Sequence, residues 1–297
     1  MVGRGSGERG VLENDAEYIN VEDTGESADD DNYIFKLMTN TVAPIKHLIE
    51  LLRDLLTEGM LECTKEGIRL YKLNQDKTCI VHMKLEAKKF ETYYCKRPIS
   101  LPLRMDSLFR VIKLVENGEL LTLYVTEDDE HCLIVERKNT VERFCNSKCI
   151  RTITSTEESI VISQLAYENI IKMTSSRFQK ICKELSQFGN YVSITNTSDM
   201  LSFKTNDDGD NFIPQEIMFM PTDNNLGLTY VSSTEGTIEG TFNLKHMLQF
   251  SKCANLSENV MILLQNDEMM TIQSNIMDIG EIKISLAPIM HAGDDYP

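Results

Sequence analysis

The stretch Thr174–Gly189, with the sequence TSSRFQKICKELSQFG, carries a complete helix signature that returns elsewhere in the chain. Ser175 or Ser176 supplies a hydroxyl group for capping the helix start, and Gly189 supplies a stop. Five apolar side chains recur between them at helical spacing: Phe178, Ile181, Cys182, Leu185 and Phe188. The stretch therefore predicts an amphipathic helix of about four turns with one buried stripe.

Basic side chains flank this stripe, and the same arrangement returns along the chain. Three further segments predict amphipathic helices: Val42–Leu56, Asp106–Glu116 and Thr241–Ala254. The flanks of the four helices carry these basic residues: Lys46, Arg53, Arg110, Lys113, Lys180, Lys183, Lys245 and Lys252. A lysine pair on one helix usually marks only a solvated face, but its return on four helices favours a shared surface.

The spacing of these segments indicates an internal repeat. The interval between the helix starts Val42 and Ser175 equals the interval between the predicted hairpins 61–70 and 194–203. Arg110 and Lys245 are separated by nearly the same interval. The chain therefore predicts one architecture written twice, in the order helix, strands, helix, strands, with an ordinary domain length in each copy.

Short β-rich runs bounded by turn signals lie between the helices, from Tyr33–Leu37 to Gly280–Leu286, and predict strands. The predicted fold class is α+β with two similar domains. We place the first domain at 32–154, an interdomain linker at 155–166 and the second domain at 167–297. Residues 1–31 are polar and acidic, which predicts a disordered tail.

The charge of the chain is unevenly distributed. The net charge is −16, and residues 1–31 contribute half of it, with two basic and ten acidic residues. The remaining acidic body gathers basic residues on the four predicted helices. Such a segregated surface is compatible with a polyanionic partner despite the negative total charge.

Chemical motifs are nearly absent, so we predict no enzyme activity, no cofactor and no metal site. The sequence shows no P-loop, HExxH, GxSxG or spaced Cys/His cluster, and Cys145 and Cys149 have no nearby histidine to complete a zinc site. Eight scattered cysteines predict reduced thiols of an intracellular protein. Neither a membrane span nor a secretory signal is expected.

Three segments resemble the proliferating cell nuclear antigen (PCNA) family, the sliding clamps of eukaryotes and archaea. They are Arg177–Gly189, Ile276–Pro288 and Phe90–Cys95, and the resemblance runs in order from about Tyr33 to Pro288. It implies two clamp domains per chain, each with two helices packed on curved antiparallel sheets. It also implies that three chains close head to tail into a homotrimeric ring, with helices lining a hole around duplex DNA.

The basic residues of the four helices fall where the resemblance places pore-lining residues. A clamp must slide, so its contacts go to phosphates without reading bases. Eight basic residues per chain become 24 around a threefold ring. The resemblance therefore implies sequence-independent binding of double-stranded DNA.

The resemblance also implies a hydrophobic pocket for a short peptide motif of DNA polymerases and other replication and repair proteins, with a clamp loader as a further partner. The matching positions are Leu73, Ile160, Ile162, Tyr167, Met269, Leu286, Ala287 and Pro288. Each is also a candidate core residue, and for Leu286 core is the favoured reading. Ser285 and Ser163 replace an aromatic residue and a proline common in the family, so the resemblance does not imply the family's usual peptide preference.

Ring closure needs an exposed edge strand at each end of the subunit. The resemblance places these edges at Cys132–Glu136 and Asn211–Met220. The implied interface residues are Cys132, Ile134, Glu136, Arg177, Phe212 and Ile217. Pro214 removes one backbone donor from the second edge.

Other classes stay open at this point. One is a clamp subunit of a heterotrimeric checkpoint ring, or a viral processivity factor that does not encircle DNA. Another is a scaffold that keeps the fold only for peptide docking. The expected location is the nucleus, or a cytoplasmic viral replication site if the source is a large DNA virus.

Overall fold

A computed structural model of the chain describes residues 32–139, 141–154, 167, 169–206, 213–220, 228–232 and 236–289. The predicted tail 1–31 and the predicted linker 155–166 lie outside the described residues. So do three of the residues predicted from the resemblance: Ile160, Ile162 and Phe212.

The first half of the chain alternates strands with two helices. Its elements are β1 (Tyr33–Thr39), α1 (Val42–Leu55), β2 (Glu58–Thr64), β3 (Gly67–Leu73), β4 (Cys79–Glu86), β5 (Thr92–Cys95), β6 (Ile99–Arg104), α2 (Met105–Ile112), β7 (Leu120–Thr126), β8 (Asp129–Asn139) and β9 (Phe144–Arg151).

The second half repeats the same order. Its elements are β10 (Asn169–Thr174), α3 (Ser175–Leu185), β11 (Tyr191–Asn196), β12 (Leu201–Asn206), β13 (Glu216–Phe219), β14 (Leu228–Ser232), β15 (Ile238–Asn243), α4 (Leu244–Phe250), β16 (Asn259–Leu264), β17 (Met270–Ile276) and β18 (Gly280–Leu286). The predicted repeat is therefore present element by element, within an α+β fold.

Three antiparallel sheets carry this repeat. One sheet has the order β5-β1-β7-β8-β9, and another has the order β13-β12-β11-β15. The third, of nine strands, has the order β14-β10-β16-β17-β18-β4-β3-β2-β6. The large sheet is therefore the same five-strand and four-strand pattern joined once, where β18 of the second half pairs with β4 of the first.

The β18–β4 junction is fully paired and buried. Its register runs from Gly280 opposite Leu85 to Leu286 opposite Cys79. Ile282 and Ile284 are buried, as is Met83 opposite Ile282. This burial joins the apolar cores of the two halves across the sheet.

Helix α3 confirms four of the five residues of the predicted stripe, because Phe178, Ile181, Cys182 and Leu185 are buried. The fifth, Phe188, is half-buried and lies in a turn beyond the helix, which ends at Leu185. Its cap is one residue earlier than expected: the Thr174 hydroxyl accepts a hydrogen bond from the Arg177 backbone N–H, at 3.4 Å. The hydroxyl of Ser175 is instead buried against the core.

Helix α4 is shorter than the predicted Thr241–Ala254. Strand β15 continues to Asn243, whose side chain caps α4. A 3₁₀ helix, Ser251–Asn255, follows the α-helix. The starts of α2 and α4 lie further apart in the chain than Arg110 and Lys245 do, so those two basic residues are not at equivalent positions of the repeat.

Three strands were absent from the sequence prediction: β5, β6 and β10. Strand β5 is only four residues long, and β6 contains Pro102, which argues against a central strand. Strand β10 runs directly into α3 without an intervening turn residue. No helix of the described part is long and apolar enough to cross a membrane.

The cysteine prediction needs one correction. Cys132 on β8 and Cys149 on β9 form a disulfide, whereas all eight cysteines were expected to be reduced. Cys63, Cys79, Cys182 and Cys253 are buried free thiols. Burial raises the pKa of Cys79 and that of Cys253 to about 12, which makes these thiols poor nucleophiles.

Candidate nucleic-acid and subunit interfaces

The helices form one row across the described chain. Helix α1 packs on α2 of its own half and on α4 and the 3₁₀ helix of the other half, and α3 packs on α4. The helix row, counted with the 3₁₀ helix, holds eight Lys and Arg against four Asp and Glu. The rest of the chain holds 22 Lys and Arg against 42 Asp and Glu, so positive charge is concentrated on the helices.

Three of the predicted basic residues are held by contacts within the chain. The Lys46 Nζ donates to the Val115 carbonyl at 2.7 Å. The Arg53 guanidinium pairs with Asp54 at 2.7 Å and lies 3.9 Å from the centroid of the Phe109 ring. The third of these, Lys252, binds the Asp54 carboxylate from the 3₁₀ helix.

The other five predicted basic residues are exposed: Arg110, Lys113, Lys180, Lys183 and Lys245. Arg110 pairs with Asp106 at 2.7 Å on the helix surface, where its side chain remains 71% exposed. An open groove of about 450 Å³ on α3 is lined by Ser176, Gln179, Lys180, Lys183, Glu184 and Gln187. These five cations are therefore accessible to an anion.

Polar contacts across the helix row join the two halves of the chain. The Gln249 side chain donates to the Asp54 carbonyl at 2.7 Å, and Lys252 also lies 3.6 Å from Glu50. Burial raises the pKa of Asp54, but hydrogen bonds from Lys252 and Arg53 outweigh burial and hold it below its usual value. The carboxylate is thus a charged anchor between α1 and the second half.

His246 on α4 is a second contact of this kind. Its Nε2 lies 3.1 Å from the Thr78 hydroxyl and 3.4 Å from the Asn74 amide nitrogen, and its Nδ1 lies 3.3 Å from the Gln249 side-chain oxygen. An imidazole that accepts at Nε2 and donates at Nδ1 satisfies this set. His246 therefore positions the domain junction, a role that its sequence position alone did not indicate.

The predicted peptide-pocket residues cluster at one end of the large sheet. A row of paired residues runs Leu73–Ile80–Ser285–Thr271 across four strands. The Tyr167 hydroxyl lies 2.9 Å from the Met269 carbonyl and 2.7 Å from the Thr271 hydroxyl, which is 2.7 Å from the Ser285 hydroxyl. The fold therefore brings Leu73, Tyr167 and Met269 to one end of the sheet.

The chain after β18 is held at the same place. The Ala287 N–H donates to the Thr78 carbonyl at 3.1 Å, and the Ile289 N–H donates to the Thr241 carbonyl at 2.8 Å. Ala287 and Pro288 are half-buried between these contacts. Leu286 is only 1% exposed, so it is a core residue, as favoured. Burial raises the pKa of Tyr167, although its Thr271 hydrogen bond opposes that effect.

The predicted first edge strand is wrong. Cys132, Ile134 and Glu136 lie on β8, which pairs with β7 on one side and with β9 on the other. The terminal described strand of this sheet is β9. The resemblance assigned the edge one strand too early because the meander turns once more, where Asn139 pairs with Phe144.

The predicted second edge strand agrees with the structure. Strand β13 is a terminal described strand of the four-stranded sheet, and it carries Ile217. The Arg177 guanidinium lies 5.6 Å from the centroid of the Phe219 ring on the same strand. Ile213, Met218 and Met220 are 65%, 53% and 55% exposed. An apolar, exposed edge of this kind is suited to pairing with another strand.

The described residues bring together no group of three His, Cys, Asp or Glu side chains that could hold a metal ion. The described part of the chain instead offers a cationic helix surface, terminal strands β9 and β13, and a cluster of partly exposed side chains at one end of the large sheet. Within the described ranges, none of these features contains a nucleophile paired with a base.

Family comparisons cover both halves of the chain. Residues 34–158 match the model of the proliferating cell nuclear antigen N-terminal domain, and residues 161–289 match that of the C-terminal domain. A protein of Paramecium bursaria Chlorella virus 1, named "Probable DNA polymerase sliding clamp 1", is 27% identical over 267 residues, covering 88% of this chain and 99% of the relative.

Two further similarities agree. The proliferating cell nuclear antigen of Caenorhabditis elegans is 25% identical over 246 residues, which cover 82% of this chain and 92% of the relative. The crystal structure of proliferating cellular nuclear antigen from Entamoeba histolytica has a TM-score of 0.77 at 21% identity, covering 87% of this chain and 100% of that chain. The structural match shows the same clamp fold.

Proposed function

Because this chain belongs to the proliferating cell nuclear antigen family of DNA sliding clamps, we propose that it closes with two further copies into a ring around duplex DNA. In that ring it acts as a non-catalytic processivity factor. It tethers DNA polymerases and other replication and repair proteins to the duplex after a clamp loader has placed it there.

The strand order of the three sheets is the observation that supports the ring. Strand β18 pairs with β4 within the chain, while β9 and β13, which hold the equivalent places in the repeat, end their sheets. A second copy that offers its β13 to β9 would recreate the internal nine-stranded sheet. Such head-to-tail contacts are heterologous, and they close into a ring when the rotation between copies permits.

The register of that contact follows from the repeat. Val135 of β8 pairs with Lys148 of β9, and Ile272 of β17 pairs with Ile284 of β18. Asn146 and Ile282 each lie two residues before these partners, so they occupy equivalent places in the repeat. Ile217 pairs with Phe203 as Met83 pairs with Leu70. Since Ile282 pairs with Met83 inside the chain, Asn146 of one copy is expected opposite Ile217 of the next.

The cationic helix row supports the DNA contact. Its exposed bases, among them Lys180 and Lys245, are suited to phosphates at a distance, and the described helix surface offers little for base recognition. Salt weakens such contacts. Retention on DNA would therefore depend on the closed ring more than on affinity.

The cluster of side chains at the end of the large sheet supports the peptide contact. Leu73, Tyr167, Met269, Ala287 and Pro288 supply partly exposed apolar surface. The Ser285 hydroxyl lies within hydrogen-bond distance of the Thr271 hydroxyl, at 2.7 Å. Because serine is smaller and more polar than an aromatic residue, we expect a deeper and more polar site here, with room for a larger peptide anchor.

Mass in solution tests the ring first. Static light scattering at micromolar protein is expected to give about three times the 33.9 kDa chain mass. Clamps loaded on a nicked circular plasmid are then expected to remain bound until a restriction enzyme linearises it. A monomer at every concentration, or equal retention on circular and linear DNA, contradicts the proposal.

Nuclear localisation is part of the proposal for a cellular source. The relatives include both a worm protein and a viral one, so a viral replication site is the corresponding location for a viral source. Imaging of a tagged chain during DNA synthesis tests this, with replication foci as the expected result.

A further inference from the structure

The internal domain junction is a template for the contact between copies, and the two junctions carry different charges. This inference rests on the proposed head-to-tail ring. Inside the chain, α4 and the 3₁₀ helix of the second half meet α1 of the first half. Between copies, the equivalent elements are α2 of one copy and α3 of the next.

Burial fixes which residues of α1 and α3 correspond. When the helix starts Val42 and Ser175 are superposed, the buried residues of α1 fall on buried residues of α3. The matched pairs are Ile45 with Phe178, Leu48 with Ile181, Ile49 with Cys182 and Leu52 with Leu185. In the same alignment, Glu50 corresponds to Lys183 and Asp54 corresponds to Gln187. The two acidic residues that contact Lys252 are therefore replaced, at the equivalent positions of the second half, by a lysine and a glutamine.

The same comparison relates α2 to α4. When the helix starts Met105 and Leu244 are superposed, buried residues again coincide. The matched pairs are Met105 with Leu244, Leu108 with Met247 and Ile112 with Ser251. In this alignment Lys252 corresponds to Lys113 and Gln249 corresponds to Arg110. Lys252, which pairs with the acidic residues of the internal junction, thus has a lysine, Lys113, as its counterpart.

We propose that the helix contact between copies is a cationic junction, where Lys113 and Arg110 of one copy face Lys183 and Gln187 of the next. The internal junction is neutralised by Glu50 and Asp54, but the junction between copies has no acidic residue at those positions. Charge therefore opposes ring closure at three places. The phosphodiester backbone of duplex DNA in the hole relieves this repulsion.

Nearby acidic groups offset only part of the excess. Asp106 pairs with Arg110, which leaves Lys113 as the uncompensated cation of α2, and Glu184, whose Oε1 lies 3.4 Å from the neutral Gln215 amide nitrogen, is one negative charge beside Lys183. Lys113 and Lys183 remain exposed, and Lys183 contacts only the neutral Gln179 side chain, at 3.1 Å, among its described side-chain hydrogen bonds. The open groove on α3 is the equivalent of the α1 surface that Lys252 and Gln249 occupy.

A charge-swap cycle on the ring tests the inference. Trimer dissociation would be followed by dilution in mass photometry, for the full-length chain and for K183E, K113E and the double variant. Each single variant places an acid opposite a base and is expected to lower the dissociation midpoint about fivefold at about 50 mM NaCl. The double variant places two acids together and is expected to return to the wild-type midpoint.

Salt and DNA provide further readouts. Raising NaCl from about 50 to about 500 mM is expected to tighten the wild-type ring and to weaken that of K183E, because screening removes repulsion in one and attraction in the other. A duplex oligonucleotide is expected to tighten the wild-type ring more than that of K183E, because both rings bind the duplex but only the wild-type ring also loses a repulsion at the junction.

K65E is the matched control. It makes the same charge change at an exposed lysine in the turn between β2 and β3, outside the helix row, and is expected to leave the midpoint unchanged. Equal midpoints for K183E and K65E in a protein that forms trimers overturn the cationic junction. Failure of every form to assemble contradicts the proposed ring itself, so the two failures are distinguishable.

Discussion

The same residue type does different work at different places on the helix row. Lys252 is neutralised by Asp54 across the domain junction, whereas Lys183 is exposed beside an open groove. Both lysines flank an apolar helix stripe, so their local sequence patterns do not distinguish them. Their roles differ because only one meets a carboxylate from a distant segment.

Asp54→Asn should weaken the domain junction. We expect a loss of about 1–2 kcal/mol in the free energy of unfolding at pH 7, because Lys252 and Arg53 lose their ionised acceptor. The folded-state pKa of Asp54 is lowered, so its contribution is present above the unfolded-state pKa and disappears as pH falls through the folded-state value. Urea unfolding of both proteins at several pH values measures this.

The control for this prediction is Asp106→Asn, which removes an exposed helix pair with Arg110. We expect a change within about 0.5 kcal/mol. Equal losses for the two variants, or a loss for Asp54→Asn that persists in acid, would show that the carboxylate is not the anchor.

Tyr167→Phe should destabilise the pocket end of the large sheet. The hydroxyl group that contacts Met269 and Thr271 is removed, and we expect a loss of about 1 kcal/mol in unfolding free energy. Tyr191→Phe, on a side chain that is 36% exposed, is the comparison and should have no measurable effect in urea unfolding. The assignment is contradicted if the Tyr191 variant loses as much.

At the scale of elements, strand order decides which surfaces are available. Alternation and turn signals predict most strands, whereas the edge on β8 came from the resemblance, and β9 lies outside it. Alternation reports which face of a strand is buried, not whether both of its edges are paired. The edge therefore depends on pairing partners that local sequence does not reveal.

A disulfide trap tests the pairing of β9 with β13. In a Cys145→Ser background, Asn146→Cys combined with Ile217→Cys should form cross-links between copies, up to a covalent trimer on a nonreducing gel. The reason is that directly opposite residues of antiparallel strands lie close on one face.

The control combines Asn146→Cys with Met218→Cys. Because a shift of one residue turns the side chain to the opposite face, this pair should cross-link much more slowly. Faster cross-linking through Met218 than through Ile217 would contradict the register inferred from the β18–β4 junction.

At the scale of the molecule, charge is separated by secondary structure. The helix row carries twice as many bases as acids, while the rest of the chain has nearly twice as many acids as bases. An acidic exterior repels DNA, and a cationic row admits it only along the helices. A net charge of −16 is therefore compatible with the proposed DNA contact.

Charge reversal on the helix row should weaken binding of short duplex DNA. We expect Lys180→Glu with Lys245→Glu to lower affinity at least about tenfold at about 50 mM salt, since phosphate contacts dominate such binding. Fluorescence anisotropy measures this. Lys65→Glu with Lys204→Glu makes the same charge change at exposed positions on the strands or their turns and should have little effect, and equal losses would contradict a helix-directed contact.

Four features follow from the amino-acid pattern alone: the α+β class, the internal repeat, the buried helix stripes and the set of basic flanking residues. These features depend on local periodicity, because apolar side chains at helical spacing are buried on one face, as Phe178 and Ile181 are. Three other features are visible only in the folded chain: β9 is an outer strand, Cys132 is bonded to Cys149, and Lys252 is neutralised while Lys183 is not. Each of these features depends on a contact between separate segments of the chain. A local sequence pattern does not specify which distant segment a residue will contact.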